Sequence, residues 1–97
     1  MTTRTKKVTA PSACLPPEYM LADAESIQAL ARGEANPTQQ KRGLEWIINA
    51  AAATYDQSYR PGDTHDTSFA EGRRFVGGQI VKLLKLNINA LIQKGIK

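Results

Sequence analysis

Two amphipathic helical patterns joined by a polar turn constrain the fold of this chain more than any other feature. In the first pattern, apolar residues recur at intervals of three and four: Leu44, Ile47, Ile48, Ala51, Ala52 and Tyr55. The second pattern begins at Ser68, and its apolar stripe consists of Phe69, Val76, Ile80, Leu83 and Leu84. Such spacing places each set on one face of an α-helix. The turn between them, residues 56–67, holds Pro61-Gly62, a typical central pair of a type II turn.

The sequence therefore predicts an all-α fold built on an antiparallel helical hairpin over residues 36–85. The ends of both helices carry matching signals. Asn36 and Gln39 form a predicted capping box at the start of the first helix. Ser68 and Glu71 form the same kind of box at the predicted start of the second.

The rest of the chain divides into a tail, an accessory helix and an extension. Residues 1–19 contain three prolines and no apolar periodicity, so they are predicted to be a flexible, disordered N-terminal arm. A single helical domain is predicted over residues 20–97, and it begins with a short accessory helix that Asp23 caps and Gly33 ends. Residues 86–97 form a basic, apolar C-terminal extension that is predicted to continue the last helix, with or without a break.

The glycine pair Gly77-Gly78 lies inside a predicted helix and needs a physical reason. Two glycines cost a helix about 2 kcal/mol relative to alanines. In an antiparallel hairpin closed by the predicted turn, Trp46 lies opposite Gly77. The sequence therefore predicts that the Trp46 indole packs over the two glycines, where a side chain would obstruct it.

The formal net charge of +4 is unevenly distributed. Residues 1–19 carry three basic groups and one acid, residues 20–81 carry six and eight, and residues 82–97 carry four and none. Basic ends can attract nucleic acid or an acidic protein. Four basic residues of the second hairpin helix are the candidate contacts for either partner, although a solvated helix face is the favoured explanation for them: Arg73, Arg74, Lys82 and Lys85.

Several kinds of chemistry find no support in the sequence. Cys14 is the single cysteine, so neither an intramolecular disulfide nor a thiolate zinc cluster can form. Asp63, His65 and Asp66 lie close together in the turn, but their spacing does not match a calcium loop. We therefore expect no enzyme activity, no metal site and no cofactor. No apolar run reaches the roughly 18 residues of a membrane span, and no signal peptide is recognisable, which favours a soluble protein.

The C-terminal extension has more apolar residues than the hairpin can cover. The second helix and the extension together outreach the first helix by an estimated ~15 Å at 1.5 Å per residue. Exposed apolar surface of this kind usually marks an interface. The predicted partner interface consists of Leu86, Ile88, Leu91, Ile92 and Ile96.

Three stretches resemble a family of short proteins of tailed bacteriophages. They are Ala35-Asn-Pro-Thr-Gln-Gln-Lys-Arg-Gly-Leu-Glu-Trp-Ile-Ile, Thr54-Tyr-Asp and Phe69-Ala-Glu-Gly-Arg-Arg-Phe-Val-Gly. The type member of that family belongs to a Bordetella phage and is encoded among virion assembly genes. The resemblance spans about residues 35–85. It implies a virion or virion-assembly protein that is not an enzyme, located in the virion and, during assembly, in the host cytoplasm.

Two classes of function follow. The first is a virion or virion-assembly protein that acts through protein–protein contacts, as an oligomer, with itself or with other phage structural proteins as partners. The second is a small helical nucleic-acid-binding protein of genome packaging or regulation, which would use the basic termini. The apolar surplus of residues 86–96 favours the first. A salt-sensitive affinity for DNA would favour the second.

Overall fold

The computed structural model describes residues 14–96. Its elements are α1 (Leu21–Arg32), α2 (Pro37–Trp46), a π-helical segment (Ile47–Ala51), α3 (Thr64–Lys85) and α4 (Ile88–Gln93). No strand occurs in this part of the chain, and the predicted all-α class is confirmed.

The predicted N-terminal arm, residues 1–19, lies outside the described residues except for residues 14–19. This described part is attached to the helices at two points. The Trp46 indole N–H donates to the Glu18 carbonyl at 3.0 Å, and the Cys14 thiol lies 3.8 Å from an Asp66 carboxylate oxygen. Residues 14–19 therefore cross from the start of α3 to the end of α2.

Local signals set the two ends of α1. The Met20 amide donates to the Asp23 carboxylate at 2.8 Å, so Asp23 acts from the first turn, and the prediction that it is the cap is wrong. Gly33 ends the helix as predicted, with φ of +72° and the Glu34 amide donating to the Ala29 carbonyl.

The carboxylate of Asp23 joins α1 to α2. The hydrogen bond from the Met20 amide, together with the Arg42 guanidinium 2.8 Å away, holds the pKa of Asp23 below its ordinary value. Because the folded pKa is depressed, the associated stabilisation is present above the ordinary carboxyl pKa. It is lost as the pH falls through the folded pKa.

Small residues let α1 and α2 pack closely as an antiparallel pair. Ser26 and Ala29 of α1 are buried, and so is Gly43 of α2. A Cβ atom at Gly43 would lie 2.5 Å from Leu30 Cδ1. The role of Gly43 is not predictable from the sequence, because the significance of a glycine at a helix crossing depends on the neighbouring helix.

The start of α2 matches the prediction, and its end does not. Asn36 and Gln39 exchange the two hydrogen bonds of a capping box, at 2.8 and 3.0 Å. After Trp46 the backbone widens into the π segment, and Ala53 then adopts a φ of +49°. The chain therefore leaves the helix before Tyr55, whose side chain is exposed instead of lying on the buried stripe.

Helix α3 begins at Thr64, four residues before the predicted start. Asp63 caps it by accepting a hydrogen bond from the Asp66 amide at 2.8 Å. The predicted type II turn is confirmed by a Gly62 φ of +75° and an Asp63 N–H bond to the Arg60 carbonyl. Because Asp63 already satisfies the helix start, Ser68 lies in the second turn, and the predicted Ser68 cap is wrong.

Helix α3 contacts the π segment, and within residues 14–96 it makes no contact with α2. Gly77 packs against Ala52 and Thr54, whereas Trp46 lies beside residues that precede or belong to α1. The predicted packing of Trp46 over the glycine pair is therefore wrong. The reason is that the π segment redirects the chain, and α3 meets it at a single crossing.

Beyond Gly77 the chain extends away from this crossing. Helix α3 ends at Leu86, whose ψ of 146° is extended, and Asn87 caps α4 by accepting from the Ala90 amide at 3.1 Å. The predicted helical continuation is therefore present, with a break at residues 86–87. The radius of gyration is 17.4 Å, compared with about 13 Å for a compact domain of 100 residues.

Candidate protein interaction surface

The face of α3 that packs on the π segment continues past it. Asp66, Ala70 and Gly77 are buried, and these positions, with Arg73, lie on one side of the helix. The same side continues through Ile80 and Val81, which are half-buried, to Leu84, which is 58% exposed. No described element covers this face beyond Gly77.

Residues 78–96 follow the crossing. We call this C-terminal segment the arm, and it is distinct from the predicted N-terminal arm of residues 1–19. Its exposed large apolar side chains are Leu83, Leu84, Ile88, Ile92 and Ile96. The predicted buried stripe of α3 is wrong at four positions, which are exposed because α3 does not run along α2: Phe69, Val76, Leu83 and Leu84.

The five residues predicted as a partner interface divide into two groups. Ile88, Ile92 and Ile96 are exposed, and Leu86 and Leu91 are half-buried. All five belong to the arm. The exposed set is larger than predicted, because Leu83 and Leu84 join it on the last turn of α3.

The arm is basic as well as apolar. It carries Lys82, Lys85 and Lys94 and no acidic residue. None of these lysines forms an ion pair with an acid of residues 14–96. The arm therefore presents uncompensated positive charge beside its apolar side chains.

Arg73 and Arg74 have a different role from the lysines with which the sequence analysis grouped them. Arg73 donates to the carbonyls of Ala50 and Ala51, each at 3.1 Å, and Arg74 donates to the Thr54 carbonyl at 3.3 Å. These carbonyls lie at and just beyond the C-terminal end of the π segment, where backbone acceptors lack helical donors. The two arginines thus fasten α3 to the π segment.

Gly77 lies at the centre of the same junction. A Cβ atom there would meet the Thr54 hydroxyl and would approach Thr54 Cβ to 2.8 Å and Ala52 Cβ to 3.0 Å. The Thr54 hydroxyl is fixed by its hydrogen bond to the Ile48 carbonyl at 2.7 Å. Gly78 differs, since a Cβ atom at that position would meet nothing within 4 Å.

A second apolar surface lies where the N-terminal segment enters α1. Tyr19, Met20 and Leu21 are consecutive and exposed. Beside them is an open cleft of about 260 Å³, lined by Tyr19, Asp23, Ala24, Ile27 and Trp46. We call the three exposed residues and this cleft the entry patch. Its neighbours in sequence include Glu18 and Glu45, which are exposed and form no ion pair within residues 14–96.

The acidic residues at the start of α3 make structural interactions. Asp63 caps α3, and the buried Asp66 pairs with Arg60, with Nε and Oδ2 3.4 Å apart. Thr67 both donates to and accepts from the Arg60 backbone. Across residues 14–96, no three His, Cys, Asp or Glu side chains converge as ligands for one metal ion.

We expect a chelator to leave the melting temperature unchanged, because Asp63 and Asp66 are engaged in the cap and the ion pair. A thermal melt followed by circular dichroism, with and without EDTA, checks this. A fall of several degrees in EDTA that zinc or calcium reverses would contradict it and would implicate Asp63, His65 and Asp66.

None of the helices in the described part of the chain has the length and apolar character that crossing a membrane requires. Comparison of the chain with protein families, curated proteins and solved structures found no match.

Proposed function

We propose that this protein is a small assembly protein that works through protein–protein contacts, as an oligomer. The observation that carries the proposal is the apolar side of α3, which packs on the π segment as far as Gly77 and continues uncovered to Leu84. Helix faces of this kind gain stability when another surface removes them from water. The exposed isoleucines of α4 add further apolar surface that a partner would remove from water.

The resemblance of residues 35–85 to short phage proteins supports a virion or virion-assembly role. In this proposal the protein acts in the virion and, during assembly, in the host cytoplasm, with itself or other phage structural proteins as partners. It has no catalytic task. The antiparallel arrangement of the 36–85 hairpin also remains a prediction, supported by the turn at Pro61-Gly62 that brings α3 back to the π segment.

Nucleic-acid binding is the second candidate, and one observation favours it. Lys82, Lys85 and Lys94 project from the arm without an acidic neighbour in the arm sequence. Arg73 and Arg74 also belong to the predicted contacts, and their guanidinium groups already bind backbone carbonyls. Phosphate binding by the three lysines would weaken steeply as salt is raised.

Size-exclusion chromatography with light scattering tests the proposed function. We expect the full chain to be oligomeric, and Leu84→Gln to shift it toward the monomer because the substitution places an amide on the uncovered face. Phe75→Gln is the matched control. Phe75 is 66% exposed on the same helix, but nine residues at 3.6 per turn place it on the opposite side.

The outcomes separate the two candidates. A monomeric wild-type chain, or equal effects of Leu84→Gln and Phe75→Gln, would contradict assembly through this face. A monomer that binds a DNA duplex in a salt-dependent way, measured by fluorescence anisotropy, would favour the second candidate.

A further inference from the structure

The two exposed apolar surfaces of this protein carry opposite charge. The arm has three lysines and no acid. Residues 14–77, which precede the arm and include the entry patch, carry nine acids and six basic residues. Asp23, which lines the entry patch, pairs with Arg42 at 2.8 Å, while the sequence neighbours of the patch, Glu18 and Glu45, are exposed and have no ion-pair partner in the described part of the chain. Apolar surfaces of complementary charge are suited to bind each other.

The two surfaces do not meet within one chain. Helix α1 packs on α2, whereas α3 packs on the π segment, and α1 contacts neither α3 nor α4 in residues 14–96. The guanidinium contacts at the junction further fix the direction of α3. The arm of one molecule is therefore available to the entry patch of another.

An arm-to-arm dimer is the less favourable arrangement. A two-fold contact would bring Lys82 and Lys85 of both copies into one interface, and the arm has no carboxylate to neutralise them. Like charges brought together at an interface cost free energy. A contact between the arm and the acidic entry patch avoids this repulsion and also covers both apolar surfaces.

We infer that the protein assembles head to tail, with the basic apolar arm of one copy docked on the acidic entry patch of the next. The inference rests on the proposed oligomeric function and specifies its interface. Such a contact joins two different surfaces, so a pair of copies keeps one free arm and one free entry patch. Repetition of the contact gives a closed ring or an open filament, depending on the rotation between neighbours.

A charge exchange between two variants tests the inference. Variant one carries Lys82→Glu and Lys85→Glu, and variant two carries Glu18→Lys and Glu45→Lys. Each variant alone has an arm and an entry patch of like charge. We expect the concentration needed for assembly to rise at least about tenfold for each. In an equimolar mixture every arm meets an oppositely charged patch, and assembly should return toward the wild-type level.

Arg32→Glu and Glu34→Lys are the matched controls, because both positions are exposed and lie at the C-terminal end of α1, whereas the entry patch lies at its N-terminal end. Neither should change the assembly concentration measured by light scattering. The inference is overturned if either charge-reversal variant assembles as the wild type does, or if their mixture is no better than each alone. In both cases an oligomeric wild type would leave the proposed function intact, whereas a monomeric wild type would remove that function itself.

Circular dichroism of both variants keeps the test interpretable. All four substituted positions are exposed and take part in no ion pair within residues 14–96, so helical content and melting temperature should be close to wild type. If variant one loses DNA binding but assembles normally, the arm is a nucleic-acid contact and the head-to-tail inference is wrong.

Discussion

Replacing Asp66 by alanine is expected to lower the free energy of unfolding by about 3–5 kcal/mol. The Asp66 and Arg60 side chains are only 8% and 13% exposed, and their charged groups lie 3.4 Å apart. Removing the carboxylate leaves a buried guanidinium uncompensated by that charge, which is far more costly than losing an exposed ion pair. Because small domains are stable by only about 5–15 kcal/mol, this change removes a large part of the total.

The loss should be specific to the buried pair. Urea denaturation of Asp63→Ala provides the control, since that variant removes the α3 cap and should cost about 1 kcal/mol. In a double variant, Asp66→Ala with Arg60→Met, much of the stability should return, because two apolar groups replace two buried charges. An Asp66→Ala variant no less stable than Asp63→Ala would show that the pair contributes little.

Local sequence signals identified the helix ends that depend on a few neighbouring residues. The Asn36–Gln39 capping box, the left-handed Gly33 and the Pro61-Gly62 turn are all found where predicted. In each case the hydrogen bonds lie within five positions along the chain. The start of α3 was misplaced because two acceptable caps lie close together, and Asp63 precedes Ser68.

The path of the chain after α2 was not predictable by the same reasoning. Helical periodicity continues to Tyr55, yet the backbone widens at Ile47 and leaves the helix after Ala51. Nothing in the apolar spacing distinguishes a π-helical turn from an α-helical one. Because of this local change, α3 packs on the π segment instead of on α2, and Trp46 lies away from Gly77 and Gly78.

Prediction of the candidate surface was limited for the same reason. A count of apolar residues located the surplus in residues 86–96, and Ile88, Ile92 and Ile96 are exposed. Leu83 and Leu84 were missed because an amphipathic stripe shows which side of a helix is apolar. It does not show at which residue the neighbouring segment stops burying that side. Conversely, the side-chain partners of Arg73 and Arg74 are carbonyls brought close only by the crossing.

The second large effect on stability is expected from a substitution at Gly77, where α3 crosses the π segment. Replacing Gly77 by alanine is expected to destabilise the protein by about 1–3 kcal/mol through overpacking. The added Cβ would meet Thr54 and Ala52, which belong to the short turn after the π segment and cannot move aside as the tip of a long side chain can. The Thr54 hydroxyl would also have to give up its buried bond to the Ile48 carbonyl.

Gly78→Ala is the matched control, because the same atom is added one residue further along the same helix. A Cβ atom at Gly78 meets nothing within 4 Å, so this variant should gain about 1 kcal/mol from helix propensity alone. Alanine at Gly77 gains the same propensity, and a lower stability in urea denaturation therefore isolates the steric cost of the crossing. If both variants are stabilised equally, α3 does not approach Thr54 as closely as the structure has it. The close contact at Gly77 would then not fix the direction of α3 and the arm.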